Sequence, residues 1–166
     1  MAEPALHQSA PPPRIGISAG EPAGIGPDLL IQLAAQPRDA VLVAYGDPVL
    51  LRERARLLGH SLRVIEVAEP GAAAPHAPGT LAVIPVPLQV PARPGHPDIR
   101  NARPMLQAIE QADGDASRGQ SGESRQPGPG EMRVIGAVHA VDRQAAIGLR
   151  AVVVGVSVRK GRVSLL

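Results

Sequence analysis

Residues 14–28 read RIGISAGEPAGIGPD, and this stretch decides the fold of the chain. Ile15 and Ile17 alternate with small residues in a short, strand-like segment that ends at a glycine. The loop that follows is too rich in Gly and Pro to be a helix or a strand. Pro27 and Asp28 suit the first turn of a helix, because Pro is tolerated there and a carboxylate favours the positive end of the helix dipole. The stretch therefore predicts a strand, a glycine-rich turn and a helix.

Alternating strand and helix signals continue to about residue 112. Residues 40–45, AVLVAY, form a continuous apolar run of the kind that is buried in parallel sheets. Asp47 and Pro48 suit the N-cap and the first position of the next helix. Strands separated by helices indicate an α/β/α sandwich with a mostly parallel sheet. The predicted strands are 14–19, 40–45, 62–67 and 80–86, and the predicted helices are 27–36, 49–58 and 99–112.

Three details of these elements depend on single residues. Pro85 and Pro87 place the fourth strand at an edge of the sheet or cut it short. Pro104 either kinks the third helix, which Asp98 would cap, or moves its start to about residue 103. The charged side chains of the second helix are predicted to lie on its solvent side; they are Arg52, Glu53, Arg54 and Arg56.

The composition divides the chain into four segments. Residues 1–13 end in three prolines and are predicted to be a flexible lead-in, and residues 14–113 form one α/β domain. Residues 114–130 contain no large apolar side chain and are predicted to be an irregular linker or disordered. Residues 131–166 are a Val-rich tail whose two apolar runs either form a hairpin or add strands to a sheet edge.

The overall composition excludes several classes of protein. The chain has 166 residues, no Cys, one aromatic residue and a net charge of +2. Without Cys there is no disulfide and no thiolate zinc site, and Tyr45 alone cannot form a base-stacking platform. No basic run indicates nucleic acid, and no apolar run is long enough to span a membrane. We therefore expect a cytoplasmic protein that binds neither nucleic acid nor membranes.

The glycine-rich loop is the candidate binding site. In such a loop, backbone N–H groups can approach an anion at a helix N-terminus. The spacing matches neither the Walker loop nor G-x-G-x-x-G. The alternative is a tight turn that needs glycine for positive φ angles. The candidate cofactor-binding residues are Gly20, Glu21, Gly24, Gly26 and Asp28.

The loop also carries a family resemblance. GEPAGIGPD after the RIGIS opening resembles the N-terminus of the 4-hydroxythreonine-4-phosphate dehydrogenases, enzymes of pyridoxal phosphate biosynthesis. The likeness covers about residues 14–113. It continues through VLVAYGDPVLLRERARLLG at 41–59, GTL at 79–81, IPV at 84–86 and NAR at 101–103.

The resemblance implies a fold and a function. The fold would be the α/β/α fold of isocitrate and isopropylmalate dehydrogenases, in a homodimer with the active site in a cleft. The reaction would be the NAD- or NADP-dependent oxidation of 4-phosphohydroxy-L-threonine, a phosphorylated small molecule, followed by decarboxylation. A divalent metal (Zn, Mg or Co) would act as the Lewis acid.

The chain departs from the family beyond residue 113. Family members are about twice as long, and their Gly-His-Thr-Glu substrate loop and three metal-ligand histidines lie after the matched region. No Gly-His-Thr occurs here, so the sequence identifies no catalytic and no metal-ligating residue. His139 follows a segment faintly similar to the family's Thr-Gly-Pro-Val-His-Lys, which requires a two-residue deletion. The other histidines, predicted to be exposed, are His7, His60, His76 and His96.

These departures leave three functional hypotheses. The chain is a dehydrogenase of this family, a catalytically incomplete remnant that binds an anion or nucleotide without catalysis, or a generic α/β domain with an unrelated function. A shifted reading frame, a truncated gene copy or a replaced C-terminus would each account for the tail.

Overall fold

The structure is a computed structural model that describes residues 12–120, 132–136, 156–159 and 162–165. The strands are β1 (Arg14–Ser18), β2 (Val41–Gly46), β3 (Arg63–Glu66), β4 (Thr80–Pro85), β5 (Met132–Gly136), β6 (Val156–Arg159) and β7 (Arg162–Leu165). The α-helices are α1 (Gly26–Ala34), α2 (Pro48–Leu57) and α3 (Ala102–Gln120), with short 3-10 turns at Pro70–Ala72 and Ile99–Asn101.

Five strands form one sheet in the order β3-β4-β2-β1-β5, and every pairing in it is parallel. In the centre of the sheet, Ile17 lies opposite Ala44 of β2 on one side and Ile135 of β5 on the other. The prediction of a mostly parallel sheet is confirmed.

Helices cover both faces of this sheet, so the predicted α/β/α arrangement is confirmed as well. Because successive strand residues point to opposite faces, β2 supplies side chains to two separate cores. One core joins the sheet to α1 and α2 and contains Ile17, Leu30, Ala34, Leu42, Ala44, Leu51, Leu81 and Val83. The other joins the sheet to α3 and contains Val41, Val43, Tyr45, Ile84, Val86, Ala108 and Ala112.

The fourth strand is an interior strand, so its predicted edge position is wrong and the alternative of a shortened strand holds. β4 lies between β3 and β2 and ends at Pro85. The Val83 carbonyl accepts a hydrogen bond from Val67 on the β3 side, and the Val86 N–H donates to Gly46 on the β2 side. By alternation the Pro85 nitrogen faces the β3 side, beyond the last residue of that strand, so its missing N–H costs no ladder bond.

The third helix begins at Ala102, after the Ile99–Asn101 turn that Asp98 caps through the N–H of Arg100. Pro104 is the third residue of α3, where a backbone N–H has no acceptor within the helix. The predicted shift of the start to about residue 103 therefore describes the structure, and no kink is needed.

The same helix continues to Gln120, so the prediction of an irregular segment from Gly114 is wrong for residues 114–120. Ala112 and Ala116 lie one helical turn apart and are both buried, which carries the packed face of α3 past Gly114. The buried face of α3 is formed here by alanines, so the lack of large apolar side chains did not indicate a loop. Residues 121–130 lie outside the described residues.

In the described parts of the tail, the first Val-rich run adds a strand to a sheet edge, which is one of the two predicted arrangements: β5 lies parallel to β1. β6, from the second run, pairs antiparallel with β7, which follows that run, so the described pairing is not a hairpin between the two runs. Residues 1–11 of the predicted lead-in lie outside the described residues.

Candidate functional site: a cleft at the carboxyl ends of the strands

The carboxyl ends of β1, β2 and β4 surround a small cleft with a cavity volume of about 20 Å³. Ligands of open parallel sheets bind in a crevice at this end of the strands. Its wall includes Gly20 and Pro22 after β1, Tyr45 and Asp47 at the end of β2, and Met105 of α3. The candidate loop thus forms one side of the cleft.

The loop from Gly20 to Gly24 is a tight turn that uses most of its own donors. Gly20 has a φ of 68°, which confirms that the turn needs glycine there. The Gly20 N–H donates to Ser18 Oγ at 3.3 Å and the Ala23 N–H to Glu21 Oε1 at 3.1 Å. The Gly24 N–H donates to the Glu21 carbonyl at 3.0 Å. In this conformation, these three N–H groups do not form a cradle for an anion.

Gly26 is needed for close packing of α1 on β1. A Cβ at this position would lie 1.8 Å from the Ala19 carbonyl oxygen and 2.9 Å from the Ala19 carbonyl carbon. No side chain can occupy that space unless the backbone moves. Gly26 therefore sets the distance between the helix and the strand below the cleft.

Asp28 of α1 faces inward, toward Arg54 of α2. Its Oδ1 lies 3.3 Å from Arg54 Nε and forms no hydrogen bond. Arg54 Nη2 donates to the carbonyl of Pro22 at 3.0 Å and to that of Gly24 at 3.5 Å. The Asp28 carboxylate therefore compensates the positive charge of the buried Arg54 guanidinium.

Sequence reasoning missed Arg54, which was predicted to lie on the solvent side of α2. Arg54 is only 6% exposed, whereas Glu53 and Arg56 are exposed as expected. The available signal was spacing: Arg54 follows the buried Leu51 by three positions and so lies on the same face of the helix.

Two polar side chains hold the opposite side of the cleft. Asp47 caps α2, as predicted, with Oδ1 accepting from the N–H groups of Val49 and Leu50. Its Oδ2 accepts from the Leu88 N–H at 2.8 Å. Asn101, 2% exposed, binds the backbone of residues 89–90 through three hydrogen bonds. The proline-rich segment after β4 is thereby fixed to both α2 and α3.

Tyr45 connects the cleft to the second half of α3. Its buried phenol donates to Asp115 Oδ2 at 2.8 Å, and Asp115 also pairs with Arg118. Burial, and then the hydrogen bond to the Asp115 carboxylate, raise the pKa of Tyr45 far above its usual range. The phenol is therefore neutral at physiological pH and acts as a hydrogen-bond donor.

Within the described residues, no group of three or more His, Cys, Asp or Glu side chains could hold a metal ion. His76 is fixed by contacts to the backbone: its Nε2 lies 3.0 Å from the Gln36 carbonyl oxygen. His60 and His96 are exposed, as predicted. His7 and His139 lie outside the described residues. The described side chains therefore do not fit the divalent metal that the family resemblance implies.

Comparison with known proteins identifies the relatives of this chain. It is 50% identical over 100 residues to the 4-hydroxythreonine-4-phosphate dehydrogenase of Thioalkalivibrio sulfidiphilus, a match that covers 60% of this chain and 30% of that enzyme. The enzyme of the same name from Methylococcus capsulatus is 44% identical over 103 residues, covering 62% of this chain and 31% of that enzyme. Over these residues the chain is homologous to the 4-hydroxythreonine-4-phosphate dehydrogenases. The predicted resemblance is confirmed, and the chain spans about a third of the length of these relatives.

Solved structures give the same relationship. The crystal structure of the 4-hydroxythreonine-4-phosphate dehydrogenase from Klebsiella pneumoniae matches with a TM-score of 0.59 and 28% identity, over 64% of this chain and 34% of that one. The Burkholderia phymatum structure, at 22% identity and a TM-score of 0.60 over 66% of this chain and 34% of that one, supports the fold alone. No protein-family model matches the chain. In the described part of the chain, no helix has the length and apolar character needed to cross a membrane.

Proposed function

We propose that residues 14–120 contribute to the reaction of 4-hydroxythreonine-4-phosphate dehydrogenase by forming one wall of the cleft in which substrate and cofactor meet. That reaction is the oxidation of 4-phosphohydroxy-L-threonine followed by decarboxylation. The observation that carries the proposal is the 50% identity to such an enzyme over 100 residues. The cleft at the carboxyl ends of the strands is the expected location of a ligand in this fold.

In the proposed site NAD or NADP supplies the hydride acceptor, and the residues of this chain supply shape and position. Gly26 allows α1 to approach β1, and Gly20 allows the tight turn, so Pro22 lies against the cleft. Gly24 and Glu21 close the turn through one backbone hydrogen bond. Of the five candidate cofactor-binding residues, we therefore assign loop geometry to the three glycines and Glu21, and charge compensation of Arg54 to Asp28. We also propose the homodimer that the family resemblance implies and the cytoplasmic location expected from the composition.

A second function is favoured by one observation, the lack of a metal-ligand cluster among the described residues. A chain with the cleft and without metal ligands would act as a binding module for a nucleotide or an anion. We assign no catalytic step to a metal held by the described residues.

Titration with NAD⁺, NADP⁺ and inorganic phosphate tests the ligand binding that both functions require, and turnover of 4-phosphohydroxy-L-threonine separates the two functions. Tyr45 is the sole aromatic residue of the chain and lines the cleft, so its fluorescence reports binding without a label. Both functions predict saturable binding that Gly24→Val weakens, because a Cβ at Gly24 would lie 3.3 Å from the Glu21 carbonyl oxygen and the turn would have to shift. Phosphate binding alone would support the anion module, and binding of neither ligand would contradict both functions.

A further inference from the structure

We propose that Arg54 is the positioning residue of the cleft: its single buried guanidinium fixes the loop of residues 20–28 in the conformation that forms the cleft wall. The expected effect of Arg54 on ligand binding rests on the proposed function. Its effect on the loop conformation follows from the contacts of Arg54 and does not depend on that function.

One guanidinium reaches three separate points of this loop. Arg54 Nη2 contacts the carbonyl oxygens of Pro22 and Gly24 at 3.0 and 3.5 Å, and Nε lies 3.3 Å from Asp28 Oδ1. These points lie within the turn and in the first turn of α1. A planar fork with five donors can bridge several acceptors at fixed angles, which an ammonium group cannot do.

The contact with Pro22 also orients the other face of the loop. In a trans peptide the C=O and N–H groups point in opposite directions. The Pro22 carbonyl, held on Arg54, therefore turns the Ala23 N–H away from α2, where Glu21 Oε1 accepts it at 3.1 Å. Arg54 thus holds the peptide group that follows Pro22, and Pro22 itself lines the cleft.

Burial makes this arrangement specific. Arg54 is 6% exposed, and a buried cation that lost its acceptors would be strongly destabilising. The loop therefore keeps its carbonyl groups on Arg54, and Asp28 compensates the charge. Arg52 lies two positions before Arg54 on the same helix but is more exposed. It pairs with Glu66 at 2.8 Å, and 38% of its side chain is exposed.

Amide hydrogen exchange of the full chain tests this role, with Arg52→Met as the matched control for Arg54→Met. Two amides report on the loop because each donates a hydrogen bond to a loop carbonyl. The Gly24 N–H donates to the Glu21 carbonyl, and the Gly95 N–H donates to the Ala23 carbonyl. The Val67 N–H, which donates to the Val83 carbonyl just after β3, is the reference amide outside the loop. We expect Arg54→Met to accelerate exchange at the loop amides about tenfold or more relative to Val67, through local opening. Arg52→Met should leave the ratio unchanged.

Arg54→Lys separates geometry from charge and also serves if Arg54→Met does not fold. Lys keeps the charge opposite Asp28 but cannot bridge three acceptors, so the loop amides should still exchange faster than in the wild type. Full protection in Arg54→Lys, or equal acceleration at all three amides in Arg54→Met, would overturn the proposal.

A second readout links the role to the cleft. If the wild type binds NAD⁺, as followed by Tyr45 fluorescence, Arg54→Lys should weaken binding about tenfold while Arg52→Met should not. Unchanged affinity in Arg54→Lys would contradict a role in the cleft. A wild type that binds neither NAD⁺ nor NADP⁺ would contradict the proposed dinucleotide site, and the exchange ratios would still decide the role of Arg54.

Discussion

At the residue scale, Gly26 accepts no side chain unless the backbone moves. We expect Gly26→Ala to lower the free energy of unfolding by about 3 kcal/mol or more, because its Cβ would lie 1.8 Å from a backbone oxygen. Gly46→Ala is the control, since a Cβ at Gly46 meets nothing within 4 Å. Urea unfolding measures both variants. A Gly26→Ala protein as stable as Gly46→Ala would show that α1 does not approach β1 in this way.

Asp98 predicts a pH effect at the residue scale. Hydrogen bonds from the Arg100 side chain, and then from its backbone N–H, lower the pKa of Asp98 from 3.8 to about 2. Because the folded-state pKa lies below the unfolded value, the stabilisation is present above pH 3.8 and is lost as the pH falls toward 2.

An NMR titration of the Asp98 carboxyl group tests this effect. In Arg100→Gln the pKa should rise toward the ordinary value, and in Arg103→Gln it should stay low. A pKa that is the same in the wild type and in Arg100→Gln would refute the assignment.

At the scale of elements, Asn101 joins the start of α3 to the segment after β4. Its Oδ1 accepts from the N–H groups of Gln89 and Val90, each at 3.1 Å, and its Nδ2 donates to the Val90 carbonyl at 3.0 Å. Asn101→Ala leaves these groups without that partner, so we expect a loss of about 2–3 kcal/mol in the free energy of unfolding. Arg103→Ala, at an exposed position, should change stability by less than about 0.5 kcal/mol. Equal effects of the two substitutions would contradict the role of Asn101.

The elements also show what could be predicted from sequence. Apolar periodicity and the Asp47 cap located the first four strands and the starts of α1 and α2, because those signals are local. The position of β4 inside the sheet could not be read in this way, because it depends on which strands become neighbours. The extension of α3 to Gln120 depends on the burial of Ala112 and Ala116, and this burial can be seen only in the folded chain.

The candidate site was predictable in its location and less so in its chemistry. The order of strand, glycine-rich loop and helix placed residues 20–28 at the carboxyl end of the sheet, where the cleft lies. The roles within the loop depend on Arg54, which lies 26 positions after Asp28 in the sequence and contacts it only in the folded chain. A long-range pair of this kind leaves no periodic signal.

At the scale of the whole molecule, the chain combines a cleft at the carboxyl ends of its strands with described residues that hold no metal-ligand cluster. The proposed oxidation of a secondary alcohol requires loss of the hydroxyl proton together with hydride transfer, and the metal that the resemblance implies would stabilise the developing alkoxide charge. The loss of such preorganised electrostatic stabilisation typically lowers a rate by about 10³-fold or more. Because the full sequence also has no Gly-His-Thr, we predict that the 166-residue chain forms the cleft without turning over the substrate.

The most direct test is an assay of the purified 166-residue chain with 4-phosphohydroxy-L-threonine, NAD⁺ and either Mg²⁺ or Zn²⁺, followed by NADH absorbance. The predicted result is no NADH production above the rate without protein, together with the dinucleotide binding described above. Steady NADH production that is lost in His139→Ala would contradict this account, because it would place a working metal or catalytic site in the tail.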